Sequence, residues 1–188
     1  MINRFWFTFY NLFFLPVLCL FIKLLAYFNP HIKDGVNGRK NLFDRIGKNI
    51  SHRDWQKPLI WFHVASAGEF LQAEPVLKCC LKKNVECILT YSSINAFKWL
   101  EVFKQTKIKG LITTDFLPID TLNNARILLS LIQPSRIVWV SYDLWPNLVW
   151  EAHSQKIPQS LISAIVHSNS PRTKNFFVRS FYKSIYEK

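Results

Sequence analysis

Residues 58–69 read PLIWFHVASAGE, and the reading of this stretch decides the fold. An apolar run rich in Ile, Trp, Phe and Val has strand character. It gives way to Ala65, Ser66, Ala67 and Gly68, all small, and then to a carboxylate, Glu69. This pattern predicts a strand that turns directly into a helix, because the unpaired N–H groups and dipole of a helix start favour an acid in the first turn. Glu69 then has two readings. It stabilises the helix start and does nothing more, or it acts as a general base at an exposed edge, where small neighbours let a bulky polar ligand approach the backbone.

The same unit recurs outward from this stretch. Strand-like runs at 85–91, 109–113, 135–140 and 157–164 alternate with helical stretches at 68–83, 94–105, 121–132 and 146–155. The alternation predicts βαβ units and a parallel sheet covered by helices on both faces, an α/β fold with a single Rossmann-like domain over 58–188. The closing stretch SFYKSIYEK (180–188) reads as one more helix. Ligands of such sheets bind beyond the carboxyl ends of the strands. That rule puts HVASAGE (63–69), TYSS (90–93), FLPID (116–120) and SYDLWPN (141–147) on one functional edge. In the last of these Pro146 suits a first helical turn, with Asp143 expected to cap it and Trp145 to pack beneath the loop. His63 lies within a strand and reads as a satisfied core histidine. His153 and His167 have no Cys or carboxylate at metal-ligand spacing, so no metal site is expected.

Toward the N-terminus, residues 5–22 (FWFTFYNLFFLPVLCLFI) carry no charge, and the apolar character continues past Lys23 to Phe28. Crossing a bilayer takes about 20 apolar residues, so residues 1–28 read as a membrane-anchor helix. Thr8, Asn11 and Pro16 interrupt it, and a helix lying in the membrane interface is the alternative to a spanning one. No A-x-A cleavage pattern follows, which favours an uncleaved anchor over a signal peptide. Arg4 alone precedes the segment, while Lys33, Arg39, Lys40, Arg45 and Lys48 follow it, so the body is expected on the cytoplasmic side. Residues 29–57, with Gly35, Gly38 and Gly47, read as a basic connecting segment with short helical pieces.

A chain of 188 residues with 49% hydrophobic content has material for one domain with a core, which excludes disorder. Lys and Arg outnumber Asp and Glu by 24 to 12, so the expected partner is negatively charged. Because the charge adjoins an apolar segment and no nucleic-acid reader motif occurs, an anionic membrane or phosphorylated lipid is expected rather than nucleic acid. Arg39 and Lys40 are candidates for its phosphates. Cys19, Cys79, Cys80 and Cys87 show no disulfide frame and read as reduced.

Behind the hydrophobic N-terminus, GRK (38–40), DRIG (44–47), HVASAGE (63–69), FLPID (116–120), DLWPN (143–147) and SAIVHSNS (163–170) follow in order. In this arrangement the chain resembles, over essentially its whole length, the N-terminal domain of the 3-deoxy-D-manno-octulosonic acid (Kdo) transferases. The resemblance implies the acceptor-binding half of a GT-B glycosyltransferase of lipopolysaccharide biosynthesis, acting at the inner membrane on a lipid A precursor. It implies Glu69 as the general base, with Ser66, Gly68, Arg39, Lys40, Asp143 and Asn147 around the acceptor, and neither metal nor cofactor. The donor substrate, CMP-Kdo, would bind a C-terminal domain whose strands are not expected in these residues. A separate donor-binding polypeptide is therefore an implied partner.

Three departures from the family pattern stand out. Ser141, Tyr142 and Asp143 replace the usual E-T-E; Ser163, Ile165, His167 and Asn169 replace polar or basic positions; and Asn95 stands where a glycine is usual. Loss of an Arg and a Glu is expected to weaken binding or catalysis of a phosphorylated substrate. A non-catalytic membrane-associated module of the same fold, binding or scaffolding a lipid A precursor, is the second reading.

Overall fold

A computed structural model describes residues 4–96, 110–165 and 175–187. An apolar helix α1 (Arg4–Phe28), with a π-helical turn at Tyr10–Phe14, is followed by α2 (Pro30–Gly38) and α3 (Leu42–Ile50). Then come β1 (Leu59–Val64), α4 (Ala67–Lys82), β2 (Glu86–Tyr91), β3 (Leu111–Phe116), α5 (Leu122–Ile132), β4 (Arg136–Val140), α6 (Pro146–Ser154), β5 (Gln159–Ile162) and α7 (Phe176–Tyr186).

The five strands form one sheet in the order β3-β2-β1-β4-β5, every neighbouring pair parallel. From β1 the chain winds outward to β2 and β3, then returns across the sheet to β4 and β5, so the winding reverses between β1 and β4. Right-handed crossovers then put α4 on one face and α5 and α6 on the other. In agreement, α5 packs on both α3 and α6, while α4 packs on β1, β2 and β4. With both faces covered, β1 is apolar on both sides: Trp61, Phe62 and Val64 are all fully buried.

The strands and helices expected at 58–65, 68–83, 85–91, 121–132, 135–140 and 146–155 lie within about two residues of those observed, the usual scatter of element ends. The helix expected at 94–105 begins at residue 94, and the rest of it lies outside the described residues, as do 166–170 of SAIVHSNS. β3 differs more. Expected at 109–113, it runs to Phe116, and two of its buried polar residues, Thr113 and Asp115, find partners on α3. Asn49 Nδ2 donates to Thr113 Oγ1 at 2.8 Å, and the Arg45 guanidinium forks onto Asp115 at 2.7 and 2.9 Å.

Residues 29–57 are more ordered than a connector. They include two nine-residue helices, and α3 buries Leu42, Ile46 and Ile50 in the common core against β3 and α5. The core packing therefore starts before Pro58. Arg39 clamps three carbonyls, those of Leu117 (2.8 Å), Ser92 (2.7 Å) and Gly35 (2.8 Å), and lies 4.8 Å above the Phe116 ring. Gly38 backs onto that ring, where a Cβ would fall 2.4 Å from a ring carbon.

α1 spans 25 residues and is long and apolar enough to cross a membrane, yet one stripe of it is docked. Trp6, Tyr10 and Leu15 are buried. Trp6 Nε1 donates to Ser180 Oγ of α7 at 2.9 Å, and the Tyr10 hydroxyl donates to Asp120 at 2.9 Å. Asn11 and Asn147 exchange two amide hydrogen bonds, each 2.8 Å. The Asp120 carboxylate also accepts the N–H groups of Asn147 (2.9 Å) and Leu148 (3.1 Å). It thereby satisfies the start of α6, a task expected of Asp143; the residue at the N-cap position, Trp145, makes no side-chain cap. Burial pushes the Asp120 carboxyl up to about 7, against the pull of these donors.

Asn11, which interrupts the apolar run, is therefore a tether. Asn11→Leu should lower the denaturation midpoint of the full chain in detergent, by about 1–3 kcal/mol of stability, because the buried Asn147 amide loses its partner. A helix that served only as a lipid anchor would be unaffected or improved by the added apolar side chain.

Candidate functional site

In an open parallel sheet a crevice forms beyond the carboxyl ends of the strands where the winding reverses. Here that place lies between β1 and β4, and two loops border it, residues 65–66 leading into α4 and residues 141–145 leading into α6. Ser66 is the N-cap of α4, with extended backbone, and its Oγ accepts the Glu69 N–H at 3.3 Å. Glu69 Oε2 reaches back to accept the Ala65 N–H. The reciprocal pair is a capping box displaced by one residue. Ser66 and Gly68 are exposed and Glu69 half-buried. A Cβ on Gly68 would meet nothing closer than Ser66 Oγ at 3.9 Å, so the space before it is open.

Beneath this rim is a polar cluster from three strands. His63 on β1 is fully buried; its Nε2 lies 2.9 Å from Asp143 Oδ2 and its Nδ1 2.8 Å from Thr90 Oγ1. Ser92, just past β2, donates to Asp143 Oδ2 at 2.8 Å and lies 3.2 Å from His63 Nε2. Trp61 Nε1 donates to Thr90 Oγ1 at 2.8 Å. Nε2–H donates to Asp143, and Thr90 Oγ1, which accepts from Trp61, meets Nδ1 with a hydroxyl free to rotate, so every polar atom of the ring has a partner. Ser141, two residues before Asp143, holds a left-handed φ of 58°, a strained backbone for a residue with a side chain, and donates to Gln72 Oε1 at 3.2 Å.

The two carboxyls at this edge are driven apart. Burial would raise Asp143, but the hydrogen bond and charge of His63 and the hydrogen bond of Ser92 outweigh it and hold Asp143 below its ordinary value. Glu69 is raised, by burial first and the Asp143 charge in addition, against the Ala65 N–H and His63. Separation of two nearby acids by environment is the pattern that divides roles between an ionised group and a proton acceptor.

Of the residues singled out in the sequence, Glu69, Ser66, Gly68 and Asp143 border this one crevice. Arg39 reaches it through the Ser92 carbonyl and the charge of Asp143, its guanidinium hydrogen-bonded to the backbone, and Lys40 is exposed on the neighbouring turn. Asn147 is fully buried in the seam with Asn11 and Asp120 and supports the 141–145 loop from behind. His63 is satisfied in the core as expected, and one of the bonds that satisfies it holds Asp143. Ser92 carried a signal only through its place in TYSS at the end of a strand.

Fold and site together define an α/β domain with two neighbouring carboxyls, Glu69 and Asp143, at the edge where a five-stranded parallel sheet reverses its winding. The family model described as 3-Deoxy-D-manno-octulosonic-acid transferase (kdotransferase) matches residues 40–188. A protein of Arabidopsis thaliana named "Probable 3-deoxy-D-manno-octulosonic acid transferase, mitochondrial" is 32% identical over 133 residues, covering 68% of this chain and 29% of its own length. The 3-deoxy-D-manno-octulosonic acid transferase of Rickettsia typhi is 29% identical over 142 residues, 71% of this chain and 30% of that protein. The Aquifex aeolicus enzyme of the same name is 32% identical over 108 residues, 57% of this chain and 28% of that protein. The chain belongs to the 3-deoxy-D-manno-octulosonic acid transferase family, and its match spans less than a third of the length of these relatives.

His63→Leu should raise the Asp143 carboxyl, followed by carbon-detected NMR titration of its side chain; an unchanged titration would show that the ring is not its main stabiliser. Because the folded value lies below the unfolded one, the stability this cluster contributes is present above the ordinary carboxyl range and is lost as pH falls through the folded value. The variant should flatten that acid limb.

Proposed function

We propose that this chain is the acceptor-binding part of a glycosyltransferase that moves Kdo from CMP-Kdo to a lipid A precursor, with Glu69 as general base. One observation carries the reading: in a chain of this family, a half-buried acid of raised pKa stands in the first turn of the helix after β1, at the edge where the winding of the sheet reverses. Oε2 of Glu69 holds the Ala65 N–H, leaving Oε1 for an acceptor hydroxyl. The hydroxyl oxygen attacks the anomeric carbon of Kdo as its proton passes to Glu69. The bond from that carbon to the CMP oxygen breaks on the opposite side, and CMP leaves with the electron pair. Gly68 and Ser66 give the sugar room at the rim, and ionised Asp143 accepts from a second hydroxyl.

The donor nucleotide is bound by a part of the enzyme outside these residues, in a GT-B arrangement, on the same or a separate polypeptide. The exposed apolar face of α1 enters the inner membrane, the body stands on its cytoplasmic side, and Lys40 with the neighbouring basic residues draws it to anionic headgroups. The engagement of Glu69 with Ala65, together with Ser141 in place of an acid, favours a second reading, a non-catalytic module that binds a lipid A precursor.

Glu69→Gln separates the two, since Gln also serves in a capping box and leaves the helix start intact. With a donor-binding half, CMP-Kdo and lipid A precursor supplied, the variant should transfer about 10²–10⁴-fold more slowly with an unchanged melting temperature. The second reading predicts saturable lipid binding and no transfer by either chain. Gly68→Ala adds a methyl where the protein leaves room. It should preserve the melt and raise the acceptor KM; equal KM values would mean that no ligand approaches there.

A further inference from the structure

Beside the polar crevice lies a second, apolar feature, a groove of about 830 Å³ between α1 and α7. Phe5, Phe9 and Phe14 form one wall, Phe177 and Phe181 the other, and Tyr142 and Asp143 belong to its floor. The two helices are fixed to each other: Trp6 donates to Ser180, the Trp6 and Phe181 rings meet edge to face at 5.4 Å, and Tyr10 stacks with Phe181 at 6.4 Å. The groove is thus a shaped furrow with a packed base. Its rim leaves large apolar side chains in contact with solvent, Phe177 at 68% and Phe5 at 64% exposure. A contiguous apolar surface of this kind marks a binding site.

We propose that this groove holds an acyl chain of the acceptor lipid whose head group lies at Glu69, an inference that rests on the proposed function and deepens it. Three features select a hydrocarbon chain. The walls are mostly aromatic and aliphatic, with no exposed strand edge to pair with the backbone of an extended peptide among the residues that line them. Phe14 and Leu18 line the groove, and Val17 and Phe21, their neighbours at i+3, lie on the exposed apolar face of α1. A tail can therefore pass from the lipid layer into the furrow without crossing water. Finally, the groove reaches Asp143, a member of the polar cluster, so the surface changes from apolar to polar where an amphiphile changes from tail to head.

The test uses the full chain in nanodiscs of phosphatidylethanolamine and phosphatidylglycerol, with three probes: a lipid A precursor, its deacylated phosphorylated disaccharide, and a single-chain amphiphile with a dibrominated tail. Val178→Phe fills the furrow, Phe177→Glu places a charge on its rim, and Val17→Glu alters only the outer face of α1. Either groove variant should weaken precursor binding by about tenfold or more, the scale of a hydrophobic pocket changed by a small group. Both should leave the disaccharide affinity unchanged and remove the tryptophan quenching that the brominated tail causes through Trp6 and Trp145. Val17→Glu should lower membrane partition and spare this quenching. Quenching sensitive to the groove variants without any disaccharide binding would uphold the acyl groove and sink the polar-site reading. Equal affinities for precursor and disaccharide would overturn the groove proposal. So would unchanged binding in both groove variants, or light scattering that shows a dimer abolished by them.

Discussion

The reversal of winding between β1 and β4 is the constraint on which the rest depends. All five strands run the same way, both faces of the sheet are covered, and chemistry is left only the edge where the strands end. At the reversal the loops leaving β1 and β4 go to helices on opposite faces and part from each other. The two acids carried there, Glu69 and Asp143, are 74 positions apart in sequence (143 minus 69) and close enough in space to feel each other's charge. Parallel pairing adds a second consequence: register places His63 beside Thr90 and Trp139, so a side chain of the central strand orients a carboxylate from the loop after its neighbour.

A seam of buried polar groups joins the apolar helix to that edge. Asp120 accepts from the backbone at the start of α6 and from Tyr10 of α1, while Asn147 pairs with Asn11. Buried polar groups of this kind are tolerated only when matched, so the pairing fixes the position and rotation of α1 on the domain. α6 begins three residues after Asp143, and the same contacts therefore fix α1 relative to the 141–145 loop. In the proposed function, a helix held in this way would set the height of that edge above the lipid, with the proposed acyl groove along the path between them.

Much of this fold was legible because strand and helix periods alternate cleanly from residue 58 onward. β3 was foreshortened because Thr114 and Asp115 look like loop residues until α3 supplies Arg45 as the partner of Asp115. The same ignorance of distant partners hid the core role of α3, gave the helix cap to Asp143 in place of Asp120, and made Asn11 look like a flaw in an apolar helix. At the site, the small residues before Glu69 were readable from local chemistry. The His63, Ser92 and Asp143 cluster was not, since its members come from separate strands and meet only through sheet order. The motifs carrying the family resemblance divide along the same line: HVASAGE forms the rim, while GRK, DRIG and FLPID supply the packing and capping behind it.

The most direct test of the central claim is a crystal structure of the full chain with a phosphorylated disaccharide acceptor. The account predicts a sugar hydroxyl within about 2.6–3.2 Å of the Glu69 carboxylate, between the 65–66 and 141–145 loops. A sugar bound elsewhere, with Glu69 closed on the Ala65 N–H and the crevice empty, would contradict it.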